Sequence, residues 1–250
     1  IFPVIDPLKI DPTGTEATKR DNLISRVLDS VKSKFPDMLV IADVALDPYT
    51  DHGHDGVVED NKILNDQTLE VLAEQSLILA EAGADIIAPS DMMDGRVGFI
   101  RKKLDQNSFE DKIILSYAAK YNSKYYGPFR DAVNSKNNLG TSDKSSYQMN
   151  PANSLEALNE VAMDIEEGAD IVMVKPGMPY LDIISKIKKE FKIPTFAYQV
   201  SGEYAMIMES VNKGWLDKDV IIESLTSFKR AGADAVLTYF AKDLIKEFNL

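Results

Sequence analysis

An α/β fold closed into a (β/α)8 barrel is the architecture this sequence predicts, on three observations. Short β-branched and aromatic runs alternate with longer amphipathic stretches along the 250 residues. One joint recurs: "AGADIIAPS" from Ala82, "EGADIVMVKP" from Glu167 and "AGADAVLTYF" from Ala231 each read as a helix end, a Gly-Ala-Asp turn and a strand. Polar residues also stand at the C-terminal end of nearly every run: Asp43 and Asp47, Ser90 and Asp91, Lys120, Lys175, Ser201 and Tyr239. A barrel gathers those ends on one face, where its active site lies. The competing arrangement is an open doubly wound sheet, but no glycine-rich dinucleotide loop follows the first run.

The predicted strands, in order, are "IFPVI" (1–5), "MLVIADVAL" (38–46), "DIIAPS" (85–90), "KIILSYA" (112–118), "IVMVKP" (171–176), "TFAYQV" (195–200) and "AVLTYF" (235–240). Each is too short for a helix. Continuous apolar runs without alternation indicate parallel strands buried on both faces. Between them, "QTLEVLAEQSLILAEAG" (67–83) carries an apolar stripe at Leu69, Val71, Leu72 and Leu79, with Gly83 placed to end the helix. "SLEALNEVAMDIEEG" (154–168) has the same character. Seven strands, and a chain opening on a strand-like run without Met, predict an eight-stranded barrel short of its first βα unit. No linker divides residues 1–250, so one catalytic domain is expected. The polar stretch "NSKNNLGTSDKSS" (134–146) reads as a lid.

A net charge of −12 and a pI near 4.7 argue against nucleic acid as a partner. There is no cysteine, hence no disulfide and no thiolate ligand or nucleophile. No apolar run approaches the roughly 20 residues of a membrane helix, and no signal peptide is visible.

The chemistry concentrates at the strand ends. Lys175 closes the apolar run Ile171 to Val174, where an ammonium is costly to desolvate. Lys120 closes another. Taken singly, each reads as a solvated surface lysine. Two in one barrel mouth would each disfavour charge on the other, and a neutral amine is the nucleophile a Schiff base with a ketone needs. After Lys120 come Tyr121, Tyr125, Tyr126 and Phe129, then Arg130. Aromatic walls exclude water and a guanidinium fork grips a carboxylate; an amphipathic helix with a surface arginine fits that segment equally well. "DVALDPYTDHGHDG" (43–56) holds four aspartates and both histidines, His52 and His54, which suits a metal site or a solvated loop. Ser90 and Asp91 stand where a helix cap is expected.

The motifs "SDMMDGR", "YGPFRDA", "YQMNPAN", "MVKPGMPYLD", "FAYQVSGEYAM" and "FKRAGADAVLTYFA" resemble the porphobilinogen synthase (5-aminolevulinate dehydratase) family, in order and from Ile1 to near Leu250. The resemblance implies a (β/α)8 barrel that condenses two 5-aminolevulinate molecules to porphobilinogen in tetrapyrrole synthesis. It implies that Lys175 forms the Schiff base with the first-bound substrate and Lys120 a second one. Ser201 and Tyr239 match residues that bind the first substrate's carboxylate; Arg130, Lys144 and Gln148 match those that bind the second. Asp43 and Ser90 match residues near the second amino group. Members that use zinc carry three cysteines where this chain has Ala45, Asp47 and Asp55, so no catalytic zinc and no organic cofactor is expected. Glu160 matches the ligand of an allosteric Mg2+, with Asp94 nearby through water. The resemblance further implies a homo-octamer built through an N-terminal arm, and a cytoplasmic location, or a plastid one if a transit peptide precedes residue 1. Two alternatives remain at this stage. A Schiff-base aldolase needs only one lysine, and a barrel that merely binds an acidic metabolite needs none.

Overall fold

The computed structural model describes residues 1–132 and 143–248. The elements run α1 (Leu23–Lys34), β1 (Ile41–Val44), a small hairpin of β2 (Val58–Glu59) and β3 (Lys62–Ile63), α2 (Asn65–Glu81), β4 (Ile86–Pro89), α3 (Arg96–Asp105), β5 (Ile113–Lys120), α4 (Gly127–Ala132), α5 (Leu155–Glu166), β6 (Ile171–Lys175), α6 (Leu181–Phe191), β7 (Thr195–Gln199), α7 (Ser201–Asn212), α8 (Val220–Ala231), β8 (Ala235–Thr238) and α9 (Ala241–Phe248). Six strands form one parallel sheet in the order β1-β4-β5-β6-β7-β8. Laid flat, such a sheet would hold β1 and β8 about 24 Å apart. Asp43 on β1 and Tyr239 just after β8 instead line one cavity, so the sheet curls into the barrel form that the sequence predicts.

One strand assignment is corrected. Residues 1–5 take no strand conformation. They dock as an irregular segment beside β1: the Ile1 amino group donates to the Ile41 carbonyl at 2.6 Å, and Asp43 N–H donates to the Ile1 carbonyl at 3.3 Å. Pro3 has no N–H to give, which interrupts any further ladder. The hairpin β2–β3 has no counterpart among the predicted strands; Asp60 and Asn61 at its tip both have positive φ, the conformation a tight hairpin turn requires.

Both faces of the sheet are covered. Outward residues such as Ala42, Val44, Ile87, Ile114, Val172, Val174 and Ala197 pack with the helices in the main core. Inward residues Ile86, Ala88, Leu115, Tyr117, Ile171, Met173 and Tyr198 fill the interior. The Gly-Ala-Asp joint has a physical explanation. Gly83, Gly168 and Gly232 turn at φ of 101°, 106° and 112°, a region glycine enters without steric cost. The aspartate two residues on then reaches sideways. Asp85 accepts from Val40 N–H at 2.8 Å, Asp170 from Ile114 N–H at 2.8 Å and Asp234 from Thr195 N–H at 2.7 Å. Each tethers the start of its own strand to the start of its neighbour. The joints thereby hold one end of the barrel, and the opposite end is free for chemistry.

Candidate active site

The parallel register decides the centre of the site. β5 pairs with β6 so that Lys120 lies directly beside Lys175, after an irregularity between Ser116 and Ala119 shifts the ladder. Both side chains enter one cavity at the C-terminal ends of the strands. Asp43, Ser90, Arg130, Lys144, Gln148, Ser201 and Tyr239 line that same cavity. All nine residues that the sequence reading assigned to catalysis or substrate binding are therefore brought together. Phe2, Pro3, Val4, Ile5 and Ile10 add an apolar wall.

The Lys175 ammonium position is ringed by aromatic faces. Its Nζ lies 4.8 Å from the centroid of Tyr198, 5.0 Å from Tyr117, 5.5 Å from Tyr126 and 5.9 Å from Phe2. Burial, reinforced by the charge on Lys120, pushes the amine down to about 7, against the pull of Asp43. Asp43 moves the other way. Burial lifts its carboxyl to about 6, although Lys175 opposes the shift.

Lys120 is held differently. Its ammonium donates to the carbonyl of Ser90 and lies 3.5 Å from Asp55. Lys144 is buried too, at 5% exposure, and bridges Asp55 at 2.8 Å and Asp47 at 3.1 Å. Burial alone would raise the Asp55 carboxyl, but Lys120 and Lys144 hold it at about 2. The same two acids raise Lys144 despite its burial.

The carboxylate-binding candidates come from separate elements around the cavity. Ser201 sits at the start of α7, and its Oγ accepts from Phe129 N–H at 2.9 Å. Tyr239 is 5.5 Å from Tyr204 and 6.5 Å from Tyr198, ring to ring. Arg130 lies over the Tyr126 ring at 5.5 Å. Gln148 is buried with its Oε1 unpartnered. Of the expected lid, residues 134–142 lie outside the described residues. The described part, 143–146, is tied to the aspartate-rich loop by Lys144, which pairs with Asp47 and Asp55, and just beyond it the Tyr147 hydroxyl lies 3.2 Å from His54 Nδ1.

A family model for delta-aminolevulinic acid dehydratase matches residues 1–247. The chain belongs to the delta-aminolevulinic acid dehydratase family. The Bradyrhizobium diazoefficiens enzyme of that name is 58% identical over 96% of this chain and 68% of its own length. A chloroplastic relative from Physcomitrium patens is 53% identical, covering 96% of this chain and 56% of its own. A crystal structure of delta-aminolevulinic acid dehydratase (porphobilinogen synthase) from Toxoplasma gondii, in complex with the reaction product porphobilinogen, superposes with a TM-score of 0.96 at 51% identity, covering 98% of this chain and 70% of that one.

The residues can be tested against the metals associated with such dehydratases. Ala45 offers no donor, and Asp47 and Asp55 are already paired with lysine ammonium groups, so this set does not fit zinc. Among the described residues no group of three or more His, Cys, Asp or Glu could hold an ion. Glu160 on α5 shares the Arg96 guanidinium with Asp164. Its Oε1 accepts from Arg96 at 3.2 Å, and its side chain is 19% exposed. Burial raises its carboxyl, and the charges of Asp164 and Asp94 add to the shift, while Arg96 opposes it. One accessible carboxylate with a second acid near it fits an ion that keeps most of its waters.

Two features of this dehydratase site escaped the sequence reading. Phe2 and Tyr198 complete the ring around Lys175, and Asp55 is a lysine partner. Tyr198 could have been found from alternation, since Phe196, Tyr198 and Val200 share the inward face of β7. Nothing in the sequence signals that Phe2 reaches a lysine 173 positions away.

Proposed function

We propose that this chain condenses two molecules of 5-aminolevulinate to porphobilinogen, releasing water, as its family membership implies. The observation that carries the reading is the register pairing of Lys120 and Lys175 in one cavity that Arg130, Lys144, Gln148, Ser201 and Tyr239 also line. A single-lysine aldolase has no use for the second amine.

The neutral amine of Lys175 attacks the ketone of the first substrate; water leaves and a protonated imine forms. The iminium draws electrons, so the neighbouring carbon can lose a proton and attack the second substrate. Asp43, lifted to about 6, can take or return a proton beside it. Ser201 and Tyr239 hold the first substrate's carboxylate. Lys120 engages the second substrate, whose carboxylate falls to Arg130, Lys144 and Gln148. For Lys144 to do so it must leave Asp47 and Asp55, and a bound carboxylate is the competitor that can displace them. Asp43 and Ser90 take the second amino group. The aromatic ring around Lys175 excludes water, which would otherwise hydrolyse the imine.

Glu160 is the residue that would hold Mg2+, with Asp94 beside it, and the ion would stabilise the active assembly rather than touch substrate. No catalytic zinc and no organic cofactor is part of this reading. One catalytic domain over 1–250, acting in a homo-octamer in the cytoplasm or a plastid, is its expected setting. No helix among the described residues is long and apolar enough to cross a membrane. Incubation with 5-aminolevulinate and development of porphobilinogen colour with an acidic aldehyde reagent tests the reading. A folded protein that makes no colour, with or without Mg2+, rejects it.

A further inference from the structure

Glu203 is fully buried, yet it does not line the cavity. Its carboxylate is answered by main chain. Val200 N–H donates to Oε2 at 2.7 Å, Gly177 N–H to Oε2 at 3.3 Å and Met178 N–H to Oε1 at 2.5 Å. Burial lifts the carboxyl to about 7 in spite of these three donors. The donors come from two different turns. Gly177 and Met178 follow Lys175 at the end of β6, and Val200 precedes Ser201 at the end of β7. The first turn has no slack on its other side. A Cβ on Gly177 would sit 2.3 Å from the Phe228 ring and 3.0 Å from the Tyr198 carbonyl.

We propose that Glu203 is a positioning residue that locks the turn bearing Lys175 to the turn bearing Ser201, setting the distance between imine nitrogen and carboxylate grip. The proposal rests on the reading that Lys175 and Ser201 serve the same substrate molecule. A keto acid presents its ketone and its carboxylate at a separation fixed by its chain. Two turns that slide by about 1 Å would lose on the order of a hundredfold in reaction at Lys175. A carboxylate suits the task because one group accepts from both turns, and it lies in the first turn of α7, where the helix dipole favours negative charge.

The test compares borohydride trapping at Lys175 of levulinate, which has a carboxylate, with 2-butanone, which has none. In the unmodified protein levulinate should trap far faster. Glu203→Gln keeps the volume but turns an NH2 toward backbone donors, and should lower levulinate trapping roughly ten- to a hundredfold while leaving 2-butanone nearly unchanged, so the preference collapses. A role confined to stability would lower the melting temperature and leave the preference intact; that outcome overturns the proposal. Should Glu203→Gln fail to fold, hydrogen exchange in the unmodified protein decides. The Gly177, Met178 and Val200 amides should share one high protection, and a freely exchanging Gly177 or Met178 amide overturns the clamp. Failure of levulinate to trap at Lys175 in the unmodified protein rejects the underlying Schiff-base reading, a result distinct from a preserved preference in the variant.

Discussion

Lys175 stands within a ring of four aromatic faces, whereas Lys120, its register partner one strand away, stands on a carboxylate and a carbonyl. In the sequence the two are the same object, a lysine closing a strand. The rings would favour an ammonium by about 0.5–2 kcal/mol, but the cost of removing it from water is larger and the amine drops to about 7. Lys120 faces Asp55, which is itself held at about 2 by Lys120 and Lys144. One cavity thus holds one lysine among aromatic rings and two lysines against carboxylates. Position on the strand brings a lysine to the site, and its neighbours decide what it can do there.

The strongest test of this contrast is Lys175→Ala. Turnover should fall by at least about a thousandfold, and mass analysis after borohydride reduction should find no adduct on its peptide. Near-normal turnover would end the division of roles.

Lys120→Ala should be nearly as damaging to product formation, with a different signature. One substrate should still be trapped on Lys175 while no porphobilinogen appears. A folded variant that traps nothing would show that the two lysines do not act separately.

The pH dependence sharpens the contrast further. Adduct formation at Lys175 should climb about tenfold per pH unit below about 7 and level off above it. Lys120→Met removes a positive neighbour and should move the midpoint to higher pH; Asp55→Asn removes a negative one and should move it lower. Stability follows by linkage. The folded amine is depressed below its unfolded value of about 10.4, so the unfolded chain binds more protons between the two. The cost of burying Lys175 is full below about 7 and fades as pH approaches 10.4. Lys175→Met should therefore melt higher than the parent at neutral pH, with the gain shrinking on the alkaline side. A gain that stays constant across this range would mean that Lys175 titrates alike in both states.

The smallest expected effects concern metal, remote from both lysines. A chelator that strips zinc and spares Mg2+ should leave activity nearly intact, and removing Mg2+ should lower it only several-fold. Glu160→Ala should erase the Mg2+ response and leave adduct formation at Lys175 unchanged. Tightly held zinc whose removal stops turnover would overturn the reading of Ala45, Asp47 and Asp55.

Much of this site is legible in the sequence. Lys120, Lys175, Ser201 and Tyr239 announce themselves because a parallel strand must end in polar residues where it leaves the core. Arg130, Lys144, Gln148 and Glu160 carry no such mark. They stand on helices and loops, where a polar residue is the ordinary case; the aromatic run before Arg130 fits a carboxylate grip and a surface helix equally, and only the resemblance of whole motifs singles out the other three. Residues 1–5 mislead for a related reason. "IFPVI" has strand composition, but Pro3 cannot donate to a ladder, and the segment instead supplies side chains to the cavity.

The sequence by itself determined the barrel class, because strand and helix periods and the glycine-permitted turn before three of the strands are local properties of the chain. It also marked strand-end residues that reach the catalytic face, among them Asp43, Ser90, Lys120 and Lys175, since every parallel strand ends there. Only the tertiary structure decided which of them touch. The partners of Lys175 come from Phe2, Tyr117, Tyr126 and Tyr198, and those of Lys120 from Ser90 and Asp55. The fold makes these neighbours by strand register and by the curl of the sheet. Desolvation and Coulomb interaction act over a few ångströms of space, whatever the separation along the chain.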